Sequence, residues 1–282
     1  MEYDAARQQV ILFGGICGDA TALGETWSWD GQRWRELHPV VSPPARAQAG
    51  MVYDPVRDQL VLFGGSRGGL PLADTWVWDA SGWSERHPTS APPAMRSMEM
   101  AFDPVRKNVL LVGGYDATTN ARGGGGELFD MWSWDGSTWA LVDARFARFD
   151  GAMATDPDGT GVVLFGGRAP ALANDTSRWD GAAWAQLATR LAPQKRAGAR
   201  LVLAGPDALL LFGGQGAIDP LGDTWLLRQR EWFEQDPTHS PSARFGAALA
   251  YDAARKRVVL FGGTSVAATG RILLGDTWTW GP

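Results

Sequence analysis

The chain has 282 residues, 45% of them apolar, and a formal net charge of −5. That length can bury a large core. The charge offers no basic surplus for phosphate backbones and argues against nucleic-acid binding. The single cysteine, Cys17, excludes an internal disulfide framework and a thiolate metal cluster. No apolar run reaches about 18 residues, which argues against a membrane span. Residues 1–7 (MEYDAAR) lack a basic-then-apolar leader, so the default expectation is a cytoplasmic protein.

Six times the chain writes a short apolar run ending in Gly-Gly, then an acid, then a tryptophan-rich segment. The runs lie at 10–15, 60–65, 109–114, 162–167, 209–214 and 258–263, a spacing of about 50 residues that marks repeat architectures. The first repeat, 1–38, opens on residues that align with 51–54, so most of its first strand is absent. The second, 46–88, is the clearest. It predicts strand A at 46–53, a turn at 54–58, strand B at 60–63, Gly64-Gly65, a loop at 66–73, strand C at 74–78 and strand D from Trp83, with a proline-rich connector after it. The third, 96–143, has the longest loop, 115–129, with glycines at 123–126. The fourth and fifth span 148–188 and 196–236. The sixth, 244–282, carries Arg271 in its loop and ends without a strand D. Asp30-Gly31, Asp135-Gly136 and Asp180-Gly181 predict tight C–D turns. All fifteen tryptophans fall at repeat positions on strands C and D, where their large surface suits packing between blades. The expected fold is all-β, a single six-bladed β-propeller of antiparallel four-stranded blades with an incomplete blade at the chain seam. A missing last strand would leave strand C of the sixth blade as an exposed edge, open to association.

Leu62-Phe63-Gly64-Gly65, Trp76-Val77-Trp78 and Trp83, with counterparts in most repeats, resemble the kelch-repeat family of bacterial type. The resemblance covers nearly the whole chain. It implies the propeller fold, with strand A innermost, but not one function, since kelch propellers include interaction modules, sugar-handling enzymes and a copper oxidase. The copper site of that oxidase needs His, Tyr and a cross-linked Cys. The three histidines here (His38, His87 and His239) sit in register in strand D or the connector after it, so no metal or cofactor is expected.

Antiparallel order puts the D–A connectors and B–C loops on one face, where variable loops on a rigid scaffold usually bind. Arginines recur there at 46, 96, 148, 196 and 244, beside the strand C acids Glu25, Asp74, Asp130, Asp175, Asp223 and Asp276. Two readings stay open. The pairs are repeated structural bridges, or the guanidiniums receive carboxylates of a ligand. At one strand A position Gly50, Ala152 and Ala248 give way to Glu99 and Arg200, and the long loop adds Arg122. The candidate ligand-binding set is therefore Arg46, Arg96, Glu99, Arg122, Arg148, Arg196, Arg200 and Arg244. The expected function is non-catalytic binding of a protein, acidic peptide or carbohydrate. The alternative, implied by the resemblance, is a mutarotase- or epimerase-type enzyme using Glu99 and Arg200 with Arg148 or Arg244.

Overall fold

The computed structural model describes residues 1–18, 20–116, 126–144, 148–168, 171–268 and 270–281. The chain is all-β, and its six blades are those of a β-propeller. Blades 1 to 5 are antiparallel meanders in the order A-B-C-D, and blade 6 runs A-B-C among the described residues. Two compact units hold them: residues 1–102 with 107–149, and residues 103–106 with 150–282. Among the described residues no helix is long and apolar enough to cross a membrane.

The first unit contains blades 1 to 3. Blade 1 is Glu2–Asp4, Gln9–Ile16, Ala22–Trp29 and Trp34–Leu37. Blade 2 is Gly50–Asp54, Gln59–Phe63, Thr75–Asp79 and Gly82–Arg86, and blade 3 is Glu99–Asp103, Asn108–Val112, Met131–Trp134 and Trp139–Asp143. The second unit contains blades 4 to 6. Blade 4 is Ala152–Thr155, Val162–Phe165, Thr176–Trp179 and Trp184–Leu187, and blade 5 is Arg200–Leu203, Ala208–Phe212, Thr224–Arg228 and Glu231–Gln235. Blade 6 is Ala248–Asp252, Arg257–Phe261 and Thr277–Trp280, three strands among the described residues.

Strand A starts later than expected, at Gly50 rather than Arg46. The reason is a left-handed residue two places after Arg46. Gln48 has φ +59°, and Ser97, Asp150, Gly198 and Gly246 repeat it at +56° to +64°. Such a residue interrupts extended backbone. Here the kink serves a purpose: the Ser97 N–H donates to the Gln48 carbonyl at 3.0 Å, and in the second unit Gly198 donates to Asp150 (2.8 Å) and Gly246 to Gly198 (3.0 Å). The C–D turns differ in length: Asp79 pairs with Gly82, and Arg228 with Glu231, across two residues, whereas the Asp30-Gly31 turn is longer. Trp29 pairs with Trp34, leaving four residues between them, and the Asp30 carboxylate accepts the N–H groups of Gln32 and Arg33.

Gly-Gly is the strap between successive blades. The Gly65 N–H donates to the Met95 carbonyl and the Gly214 N–H to the Arg244 carbonyl, each at 2.9 Å. The preceding glycine turns left-handed, with φ +61° at Gly64, and a Cβ there would lie 2.6 Å from the Met95 carbonyl oxygen. Only glycine meets both demands.

Strand D tryptophans plug the same interfaces. Trp83 Nε1 donates to Thr26 Oγ1 (3.0 Å), Trp139 to Thr75 (2.9 Å) and Trp232 to Thr176 (2.9 Å), in each case a threonine on strand C of the preceding blade. Their rings meet Phe13, Phe63 and Phe165 with centroids 5.3, 5.3 and 5.1 Å apart. All three tryptophans are at most 4% exposed. Bonding the buried indole N–H avoids a desolvation cost of about 1–3 kcal/mol. Trp139→Phe keeps most of the packing but leaves Thr75 without its donor. We expect it to destabilise the protein by about 1–2 kcal/mol in urea unfolding, with Thr75→Val adding little on top.

Glu2 sits on the short first strand, partly exposed. Desolvation raises its carboxyl from 4.5 to about 7, against the lowering effects of the amino terminus and the Tyr3 N–H. A raised folded-state value means the ionised form opposes folding. The penalty is absent below pH 4.5, grows between 4.5 and 7, and is complete above. Glu2→Gln should therefore raise the melting temperature at pH 8 and leave it unchanged at pH 4, as read by thermal melts across that range.

Candidate functional site

Three of the recurring arginines are inside the blades. Arg46, Arg196 and Arg244 are each 1% exposed. Arg46 Nη1 and Nη2 grip the two oxygens of Asp74 at 2.6 Å each, Nη1 also reaches the Gly64 carbonyl at 3.0 Å, and Nε reaches the Pro44 carbonyl at 2.9 Å. Arg196 repeats this on Asp223, Gly213 and Gln194. Arg244 repeats it on Asp276, Gly262 and Ser242. The acid is completed by an indole: Trp76, Trp225 and Trp278 donate to Asp74, Asp223 and Asp276 at 2.7, 2.7 and 2.6 Å. One guanidinium thus joins the connector that leads into strand A, the Gly-Gly end of strand B and the start of strand C. Of the two readings open for Arg46, Arg196 and Arg244, the geometry favours the structural bridge, since each buried fork already holds a carboxylate.

The clamp's electrostatics follow. Burial alone would raise Asp74 and Asp223, but the arginine and tryptophan donors outweigh it, and both carboxyls are lowered. At Asp276 the Arg244 hydrogen bond dominates and holds the carboxyl down to about 2, from 3.8. Lowered carboxyls contribute stability that is present above pH 3.8 and lost as pH falls toward 2. Arg196→Ala should cost about 3 kcal/mol by stranding Asp223. In melts between pH 2 and 6 it should also flatten the acid limb of the stability curve. An unchanged melting temperature would contradict the clamp.

Blade 3 breaks the pattern. Counting back from the turn acid Asp103, the clamp position is Met95, fully buried, and Arg96 stands one residue later. That is a correction: Arg96 belongs with Ala47, Ala197 and Phe245, not with the clamping arginines. Among the described residues Asp130, the acid of this blade, makes no ion pair, and Trp132 Nε1 is buried without a partner. Arg96 is half-buried. Its Nη1 donates to Gln48 Oε1 at 2.9 Å, its guanidinium lies 5.0 Å from the centre of the Tyr115 ring, and it makes no ion pair among the described residues. Its backbone pairs with Tyr115, which opens the B–C loop. Ser66 Oγ also donates to Gln48 Oε1, at 3.4 Å. The loop face of blades 2 and 3 thus carries a cation held by a neutral amide and an aromatic ring.

Glu99 is 8% exposed and begins strand A of blade 3 between Met98 and Met100 of the core. Arg148 is half-buried at the clamp position of blade 4, where Asp175 is the matching acid. Arg200 begins strand A of blade 5 in the second unit and donates to the Ala247 carbonyl at 3.2 Å. Arg122 and the glycines at 123–125 lie outside the described residues.

Sequence reading missed one recurrent motif, Asp-x-x-Arg in the A–B turn. Asp4, Asp54 and Asp252 are at most 1% exposed and each pairs with the arginine three residues on, Arg7, Arg57 and Arg255. Asp103 instead accepts the Trp179 indole at 2.9 Å, while Arg106 lies over that ring. The regular spacing was visible and marks construction. No protein-family model matches the chain, and no curated protein matches it.

Proposed function

We propose that the chain is a kelch-type, non-catalytic binding module. It receives an acidic peptide or another anionic ligand on the face built from B–C loops and D–A connectors, with Arg96 as the leading cation. The observation that carries this reading is the displacement of Arg96 from the clamp position. Arg46, Arg196 and Arg244 in other blades each answer to an aspartate; Arg96 answers to Gln48 and Tyr115, neither of which neutralises it. A cation held by neutral partners keeps its charge for a carboxylate that arrives from outside, and the planar guanidinium suits two-point recognition. The ring beneath it fixes its direction. The Gly-Gly straps and buried clamps supply the rigid scaffold on which such a loop site works.

The test is an array of acidic peptides and sialylated or uronic-acid glycans probed with the intact chain. Arg96→Ala should weaken the best anionic ligand about tenfold or more, with Arg96→Lys in between, and neither should shift the melting temperature by more than a few degrees. Equal binding by wild type and Arg96→Ala would overturn the assignment.

A further inference from the structure

One tryptophan of the repeat is exchanged for a smaller residue. In blades 2 to 4, strand C sets Trp78, Trp134 and Trp179 opposite the first tryptophan of strand D; blade 5 sets Leu227 opposite Trp232. We propose that the space this exchange leaves between blades 4 and 5 binds a small planar heterocycle of the indole type, a flat apolar ring with one N–H donor. The site lies among the A–B and C–D turns and does not depend on Arg96.

The other interfaces define what this space is shaped for. Trp78, Trp134 and Trp179 are at most 7% exposed. Trp179 shows the polar end of the arrangement: its Nε1 donates to Asp103, the A–B turn acid of the preceding blade, at 2.9 Å. For blade 5 the corresponding acid is Asp156, and a leucine has neither the reach nor the donor to meet it. Leu227 and Asp156 instead line one groove with about 260 Å³ of empty space, walled by Val163 and Leu187 and rimmed by Gln229 and Arg230.

The acid is available for a ring N–H. Asp4 and Asp54 are each held by the arginine three residues on, Arg7 and Arg57, and the facing indoles Trp78 and Trp134 keep their Nε1 buried without a partner. Asp103 is not so held, and Trp179 bonds to it. At Asp156 the residue three places on is Gly159. Arg178 takes Oδ2 at 2.7 Å, and Oδ1 makes no bond among the described residues. A neutral N–H that reaches Oδ1 therefore gains a charge-assisted hydrogen bond in a site where the carboxylate is 12% exposed.

The rim points the same way. Arg228 pairs with Glu231 across Gln229 and Arg230, which are left-handed at φ +49° and +65°. The other C–D turns place glycine at such an angle, at Gly31, Gly82, Gly136 and Gly181. Two side chains are thus carried at a backbone cost that the glycine turns avoid, and both are set on the groove. Residues held in this way gather where ligands are gripped. Arg230 supplies at the rim the cation that Arg106 supplies over the Trp179 ring, 5.0 Å from its centre.

The size selects a free ring over the tryptophan of a peptide. The space is below the range of about 300–1,000 Å³ usual for drug-sized ligands. Beside it the Arg190 N–H donates to Glu231 Oε2 at 2.9 Å, tying the connector after blade 4 to strand D of blade 5. A bicyclic ring fits between Leu227, Val163 and Leu187; a main chain has no room to follow it.

The probe is indole fluorinated on its benzo ring, titrated with the full chain and followed by fluorine NMR. A saturable shift is expected. The matching fluorinated benzofuran, the same shape without the N–H, should bind at least about tenfold more weakly. Leu227→Trp fills the groove from within and should weaken indole at least about tenfold without lowering the melting temperature. No saturable shift with the wild-type protein overturns the proposal. Equal affinity of the benzofuran does so too, since the groove is then an unselective apolar hole. So does undiminished binding by a folded Leu227→Trp protein; where that variant fails to fold, the benzofuran comparison decides.

Discussion

The close approach between the Gly-Gly end of one blade and the first residue of the next governs this structure. A carbonyl on the incoming chain occupies the space a Cβ would take at Gly64 or Gly213, so the straps exclude every other residue. Once the strap fixes where strand A enters, the side chain of the arginine that carries that carbonyl has only the interior of its own blade to point into. An unpaired charge there would cost several kcal/mol. The aspartate at the start of strand C, the glycine carbonyl and the tryptophan indole are the response. Gly-Gly, Arg, Asp and Trp recur together because each is needed by the one before it.

The same dependence explains what could be read from the sequence. Blade number, strand order and the role of the tryptophans follow from spacing and residue type, because these residues have few substitutes. The site was harder. A surface arginine for a ligand and a buried arginine for an aspartate look alike in sequence, and what separates Arg96 from Arg46 is a shift of one residue. Counting from the arginine hides that shift; counting eight residues back from the turn acid reveals it, since Asp103 and Asp54 are fixed in the A–B turn. Glu99 and Arg200 stand out as charges at a small-residue position, yet their neighbours are set by packing that no local pattern encodes. The A–B turn aspartates show the opposite case. Their spacing to arginine is regular, and it reports a turn rather than a site.

Blade 3 is therefore informative for what it gives up. Replacing the clamping arginine by Met95 leaves Asp130 without its cation and Trp132 without its acceptor. Met95 compensates through apolar burial at the junction with Met98 and Met100. The exchange keeps the strap, which needs only a backbone carbonyl, while releasing the charged part of the motif from construction.

The left-handed residue after each strap has a different consequence. Gly198 and Gly246 adopt that angle without strain, but Gln48, Ser97 and Asp150 hold it at a cost of about 1 kcal/mol each. Its backbone groups carry the rung between blades, and the rung sets no requirement on the side chain. In Gln48 the side chain supports Arg96. The ladder of bent residues is thus a set of addressable mounting points. A loop face could be rewritten there, one blade at a time, with the architecture indifferent to what is mounted.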